Sequence, residues 1–337
     1  MTTIIGESVF LPWHQELRVQ LQEAIDGDRL PHALLLRGAR GLGKGLFAEV
    51  VARGLLCQTN ELKACGVCRS CVLLASGNHP DYFHIRPEED KKQIRVEQIR
   101  DLIGRLILTS QMQGYKVAVI KPADAMNTNA QNSLLKTLEE PPAKTVLLLV
   151  SSDAAALAPT VLSRCQSLRF ANPDTNVALA WLDGQGDADW PQLLQLAWGA
   201  PLLAVELDRQ GAAEIGQTLA DDLKALLEGR CDPVSTAESW AGDQLDLRMR
   251  WLQQQVYGVI QWQILGLAPE LVHKTLQRSL QNSISALSLT ESFRYLDRLQ
   301  YAIGLADRAV NQALAILPIL SVWADGPRFE QIVADQL

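Results

Sequence analysis

Apolar residues in the first half of the chain fall into short runs at 33–37, 82–86, 116–120, 145–150 and 167–170. Stretches of helical periodicity lie between them. Ile94, Val96, Ile99, Leu102, Ile103 and Leu106 recur mostly at three- and four-residue spacing, as an amphipathic helix requires. Residues 129–140 repeat that spacing until Pro141-Pro142 stops it. Strands alternating with crossover helices predict an α/β domain with a parallel sheet over residues 1–170.

After Phe170 the texture changes. Ala171-Asn172-Pro173-Asp174 is turn-forming, and no strand pattern follows it. Residues 177–207 read as a small helical unit, broken at 184–186 and at Gly199-Ala200-Pro201. Longer helical segments begin at about residue 215, notably 244–264 and 292–317, rich in Leu, Ala, Gln and Trp. They predict an all-α bundle with one buried face. The expected division is 1–170, 171–213 and 214–337.

Composition narrows the class. With 337 residues, 47% hydrophobic and 20% charged, the chain has the make-up of a soluble globular protein of two or three domains. Its longest aliphatic run, residues 146–150, is far short of the ~20 apolar residues of a membrane span. Met1-Thr2-Thr3-Ile4-Ile5-Gly6-Glu7 has no basic stretch leading into an apolar one, so a cytoplasmic location without membrane contact is expected. The net charge of −7 divides unevenly: residues 1–170 carry 20 Lys and Arg against 17 Asp and Glu, and the remainder 11 against 21. The first half can face an anionic partner, but so small an excess does not make an autonomous DNA binder.

The run at 33–37 leads directly into Gly38-Ala39-Arg40-Gly41-Leu42-Gly43-Lys44-Gly45 and then a helical stretch. Gly38, Gly41, Gly43 and Lys44 have the spacing of a phosphate-binding loop, in which backbone N–H groups and a lysine surround a polyphosphate. The next position should carry the hydroxyl that ligates Mg²⁺, and here it is Gly45. After residues 116–120, where acids normally hold the metal and polarise water, stand Lys121-Pro122, with Asp124 displaced. ATP or ADP binding is possible in such a loop, but hydrolysis is not expected.

Cys57, Cys65, Cys68 and Cys71 fall within fifteen residues, whereas Cys165 and Cys231 stand alone. Four thiolates satisfy a tetrahedral Zn²⁺ and leave no open position for catalysis. Four reduced thiols and an iron–sulfur cluster are the alternatives, although the Cys-Pro that usually follows in ferredoxins is missing. With the shell already full, His79 and His84 read as structural or solvent-facing. Cys165 has no evident histidine partner and reads as a packed apolar side chain.

Asn132-Ser133-Leu134-Leu135-Lys136-Thr137-Leu138-Glu139-Glu140-Pro141-Pro142, followed by Ser163-Arg164-Cys165, resembles the clamp-loader branch of the AAA+ ATPases. With the cysteine cluster and Leu30-Pro31-His32-Ala33-Leu34-Leu35, the chain is similar to bacterial DNA polymerase III clamp-loader subunits. Motor subunits of that family carry Ser or Thr at Gly45, Asp-Glu at Lys121-Pro122 and an arginine shortly after Gly199. All three are missing here, which points to a non-motor member.

The resemblance implies an AAA+ (RecA-like) domain with a zinc module at 57–71, a small helical lid and a C-terminal helical collar. It implies that Arg164 is an arginine finger acting in trans on ATP held by a neighbouring subunit. It also implies partnership with other clamp-loader subunits, and through them with a sliding clamp and primed DNA, within a DNA-directed DNA polymerase holoenzyme. Two other functions compete. An ATP-hydrolysing motor is favoured by Gly43-Lys44 and opposed by Gly45, Lys121 and Leu202; a zinc-dependent nucleic-acid binder is opposed by the net negative charge.

Overall fold

The computed structural model describes residues 9–59, 62–89, 91–242, 244–266, 288–306 and 311–324. The expectation for the N-terminal heptapeptide, and parts of those for 214–337, therefore lie outside the described residues. Two compact units emerge. The first comprises residues up to Gly184 together with Ala200–Leu203, and the second comprises Gln185–Gly199 together with the residues from Ala204 onward.

The first unit is built on five parallel strands, β1 (Ala33–Arg37), β2 (Tyr82–Ile85), β3 (Lys116–Ile120), β4 (Thr145–Ser151) and β5 (Gln166–Arg169), in the order β2-β3-β4-β1-β5. Each of the five expected runs becomes a strand, with ends shifted by a residue at most. β3 and β4 are buried along their whole length. Interior parallel strands are covered on both faces, which is why they read as continuous apolar runs rather than alternating ones. One face packs Leu35, Ile120, Leu147 and Leu149 against Ile99, Leu102, Leu106, Leu134 and Leu138 from the covering helices.

Local chemistry fixes those helices. α1 (Gln15–Asp26), α2 (Lys44–Leu56) and α3 (Arg69–Ala75) precede β2. α4 (Val96–Ile107) opens with Gln98 accepting the Arg95 N–H at 3.0 Å, which satisfies one donor left over at a helix start. Its far end is closed by buried Lys116, which donates to the carbonyls of Leu106 and Leu108. α5 (Thr128–Glu139) is capped by Asn127, whose side chain accepts the Ala130 N–H at 2.9 Å. The short α6 (Pro159–Leu162) and α7 (Thr175–Leu182) follow.

Strand order places the functional loops. The chain leaves β1 for the far edge of the sheet, returns through β3 and β4, and crosses to β5 on the other side of β1. In open α/β sheets, ligands bind beyond the strand C-termini where the winding reverses. The register pairs Arg37 with Ser151 and Ile120 with Leu149, so the segments after β1, β3 and β4 converge there.

The second unit is helical, as its sequence implies: α8 (Trp190–Leu196), most of α9 (Pro201–Arg209), α10 (Ala212–Leu227), α11 (Pro233–Trp240), α12 (Leu245–Leu265), α13 (Leu289–Ala306) and α14 (Gln312–Ala324). The single segment expected at 292–317 divides into α13 and α14, with residues 307–310 outside the described set. Indole N–H groups organise its core. Trp251 donates to Ala212 O at 2.8 Å, Trp240 to Asp222 at 2.8 Å and Trp323 to the Tyr295 hydroxyl at 2.7 Å. A buried Trp needs such an acceptor to offset the desolvation of its N–H. Among the described residues, no helix is long and apolar enough to cross a membrane.

Candidate functional site

The phosphate-type loop follows β1 as anticipated, and α2 begins at Lys44. Gly41 and Gly43 have φ of +83° and +82°, where a side chain would be strained. Space is also taken up. A Cβ on Gly43 would lie 2.6 Å from Leu11 Cδ1 and 2.9 Å from the His14 ring, and one on Gly41 2.5 Å from Leu203 Cβ.

Lys44 is buried and turned onto its own loop. Its ammonium donates to Gly38 O at 2.7 Å, Ala39 O at 2.6 Å and Ser152 Oγ at 3.1 Å. Those contacts join the loop to the segment after β4. Burial lowers Lys44 to about 8, with Asp124 opposing the change and Lys121 reinforcing it. Asp124, the acid that follows β3, accepts the Ser152 N–H at 3.0 Å. Lys121 lies across the first turn of α2, with its Cε 2.7 Å from where a Cβ on Gly45 would stand. The space that a side chain at position 45 would take thus holds the Lys121 ammonium and its stem.

Two further segments close over the loop. Trp13 Nε1 and His14 Nε2 both donate to Leu42 O, at 3.0 and 2.9 Å, and the Leu202 N–H donates to Gly41 O at 3.1 Å. His14 packs edge-on against Phe47 and Phe170. Burial lowers its pKa to about 4, and the Leu42 carbonyl only partly opposes this. Sequence reading missed Trp13, His14, Ser152 and Leu203, which lie far from the loop in the chain and share no motif with it. It did identify the 199–202 stretch through its missing arginine.

The four clustered cysteines converge. Their sulfurs lie within 4.8 Å of one another, with Cys57–Cys68 and Cys65–Cys71 both at 3.9 Å. A tetrahedron of Zn–S bonds has edges of about 3.8 Å, so the set fits one four-coordinate ion. A cluster with several irons and sulfides of its own would need its ligands farther apart. Cys57 ends α2, Cys68 is the N-cap of α3, and Cys71 lies in the first turn of α3. N–H groups of Cys65, Cys68 and Cys71 donate to the sulfurs of Cys57, Cys65 and Cys68 at 3.3–3.4 Å. Such donors stabilise thiolate charge. At Cys57 burial works against the thiolate, but hydrogen bonds from Thr59 and Cys65 bring the thiol down to about 6; burial pushes Cys71 up to about 12.

His79 stands behind this module as a structural residue. Ser70 Oγ donates to Leu56 O at 2.6 Å, so its lone pair accepts His79 Nε2–H at 2.6 Å, while His79 Nδ1 accepts the Asp81 N–H at 3.2 Å. That assigns the neutral Nε2–H tautomer, and burial lowers the pKa accordingly. His84 is solvent-facing on β2. Cys165 packs partly buried against the sheet core, and burial raises its thiol to about 11.

Arg164 follows α6, with its contacts outside the phosphate loop. Nη2 lies 2.5 Å from Glu139 Oε1, and Nη1 donates to Thr160 O at 3.0 Å and Ser163 Oγ at 3.3 Å. Gln131 fixes the segment leading to it. Its amide donates to Met126 O at 3.0 Å and Ala156 O at 3.2 Å, and its carbonyl accepts the Ala158 N–H at 2.7 Å.

The site thus combines a five-stranded parallel sheet, a glycine-rich loop bonded to its own lysine and a cluster of four thiols. A family model described as DNA polymerase III, delta subunit matches residues 13–174. The Pseudomonas aeruginosa DNA polymerase III subunit delta' is 39% identical, covering 94% of this chain and 98% of its own. The Yersinia pestis and Escherichia coli subunits of the same name are 36% and 31% identical, covering 75% and 72% of this chain and 76% and 73% of theirs. A solved gamma subunit-related protein from Thermotoga maritima aligns at 17% identity with a TM-score of 0.45, covering 92% of this chain and 99% of its own. The chain belongs to the DNA polymerase III delta' subunit family.

Proposed function

We propose that this chain is a non-hydrolysing subunit of a clamp-loader assembly. It presents Arg164 to ATP held by a neighbouring motor subunit and so helps to load a sliding clamp onto primed DNA. The observation that carries this reading is the state of its own phosphate loop. Lys44 is bonded to the loop's carbonyls, Lys121 fills the space a hydroxyl side chain at position 45 would need, and Asp124 accepts a backbone N–H, so these residues are not disposed to hold a metal or activate water. ATP or ADP would have to draw Lys44 away from three acceptors, which makes binding at Gly38, Gly41, Gly43 and Lys44 weak. Arg164 stands apart from that loop, partly exposed and permanently charged, with the planar fork suited to a γ-phosphate.

In the same reading, Cys57, Cys65, Cys68 and Cys71 hold a structural Zn²⁺ that ties the end of α2 to α3. Residues 171–213 form the lid, and 214–337 the collar that joins other subunits. The complex works in the cytoplasm as part of a polymerase holoenzyme.

The test is reconstitution with motor subunits, clamp and primed DNA. Arg164→Ala should leave assembly and zinc content intact and lower turnover far more than ATP affinity; a finger supplied in trans is worth ~10³–10⁵ in rate. Arg164→Lys should rescue poorly, because a point charge lacks the fork. Equal rates with wild-type and Arg164→Ala chains would sink the reading.

A further inference from the structure

We infer that Glu139 is a positioning residue for Arg164, a role that rests on the arginine reading above. Two features of α5 place its carboxylate. Asn127 caps the start of the helix, and Pro141-Pro142 prevent it from continuing, so Glu139 is held as the last helical residue beside α6. From there Oε1 forms a charge-assisted contact with Arg164 Nη2, at 2.5 Å. Thr160 O and Ser163 Oγ hold Nη1 from the other side.

Glu139 is the one charged member of this set and the one that lies outside Arg164's own turn. The Thr160 carbonyl and the Ser163 hydroxyl belong to the segment that carries the arginine and move with it; the carboxylate ties the guanidinium to a different helix. A guanidinium has more N–H donors than these contacts use, so donors remain for an incoming phosphate while the side chain is held. An unrestrained arginine must lose rotamer freedom when it meets the nucleotide, and Glu139 removes part of that loss beforehand. The pair is not buried, with side-chain exposures of 34% and 49%, so its influence is modest. An exposed ion pair is worth ~1 kcal/mol or less, which corresponds to about fivefold at most.

The experiment is a double-mutant cycle in the complete assembly, with ATP turnover measured against ATP concentration in the presence of clamp and primed DNA. Glu139→Ala should lower kcat about two- to fivefold with KM for ATP unchanged. Glu139→Gln, which keeps the shape and one acceptor oxygen, should fall between it and wild type. In an Arg164→Ala background, Glu139→Ala should change nothing further, because its effect runs through the arginine. Thermal midpoints and zinc content of each chain control for folding, and the isosteric Glu139→Gln keeps the test valid if the alanine variant is unstable. Wild-type kcat for both Glu139 variants beside a crippled Arg164→Ala would overturn the positioning role alone. So would an equal loss in the Arg164→Ala background, which would mark Glu139 as merely structural. An Arg164→Ala assembly that turns over normally would instead remove the arginine reading, and this role with it.

Discussion

Lys121 and Gly45 are complementary: the glycine has no side chain, and the stem of the lysine runs through the space one would need, its Cε 2.7 Å from the missing Cβ. The two departures from a working nucleotide site are therefore one packing arrangement, and reversing one of them does not restore the other. Gly45→Ser should leave ATP turnover of the isolated chain at background, with or without Mg²⁺. The far end of a lysine swings aside cheaply, and serine suits a helix better than glycine, so stability should change by no more than ~1 kcal/mol. Steady-state hydrolysis and thermal unfolding measure both. Magnesium-dependent turnover from this single change would contradict the arrangement.

The cysteine module should behave as a folding unit. One zinc per chain is expected by elemental analysis, and Cys71→Ser should abolish stoichiometric binding, because removing one thiolate opens the tetrahedral shell. Hydrogen exchange should rise across residues 57–79, where the Ser70–His79–Leu56 network leans on the module, while β1, β3 and β4 stay protected. Full zinc occupancy in Cys71→Ser would remove that residue from the ligand set.

His14 gives the stability a defined pH dependence. Its folded-state pKa, about 4, lies below the unfolded value of 6.5. Above 6.5 both states are neutral there and the histidine adds no slope. Between 6.5 and about 4 only the unfolded chain takes up the proton, so stability falls as pH drops through that window and levels off below it. Between pH 7 and pH 5 the loss is ~2 kcal/mol. His14→Gln keeps a donor for Leu42 O but cannot titrate. Denaturant unfolding of the two chains at both pH values should show a smaller decline in the variant, and identical declines would refute the assignment.

Gln131 should be costly to replace despite lying outside the phosphate loop and the thiol cluster. Gln131→Ala leaves the Ala158 N–H without its acceptor and frees the carbonyls of Met126 and Ala156, a loss of ~2 kcal/mol or more for partly buried groups. Gln131→Glu keeps the acceptor but loses both donors, so it should also destabilise the chain. Thermal midpoints equal to wild type for either variant would show that water replaces the side chain without penalty.

Much of this architecture is local in origin and therefore legible. The runs at 33–37, 116–120 and 145–150 become buried strands because a parallel sheet covered on both faces demands continuous apolar sequence. Pro141-Pro142 ends α5 where the pattern stops, and the glycines between β1 and α2 announce a loop with positive φ. The spacing of Cys57, Cys65, Cys68 and Cys71 limits them to one small neighbourhood, and the structure brings their sulfurs within 4.8 Å. The mismatches at Gly45 and Lys121 are also readable one residue at a time.

What those residues do to one another was decided only by the tertiary structure. Lys44 meets Ser152 because β1 and β4 are adjacent and in register, although 108 residues separate them. Trp13 and His14 cover Leu42 because the segment before α1 folds back across the loop, and no short-range pattern encodes that return. Arg164 acquires its carboxylate partner only because α5 and α6 lie side by side, which brings Glu139 Oε1 to 2.5 Å from Nη2. Periodicity and motif spacing report forces between neighbours along the chain. Hydrogen bonds and ion pairs between distant residues depend on strand order and helix placement, which follow from burying the whole core at once.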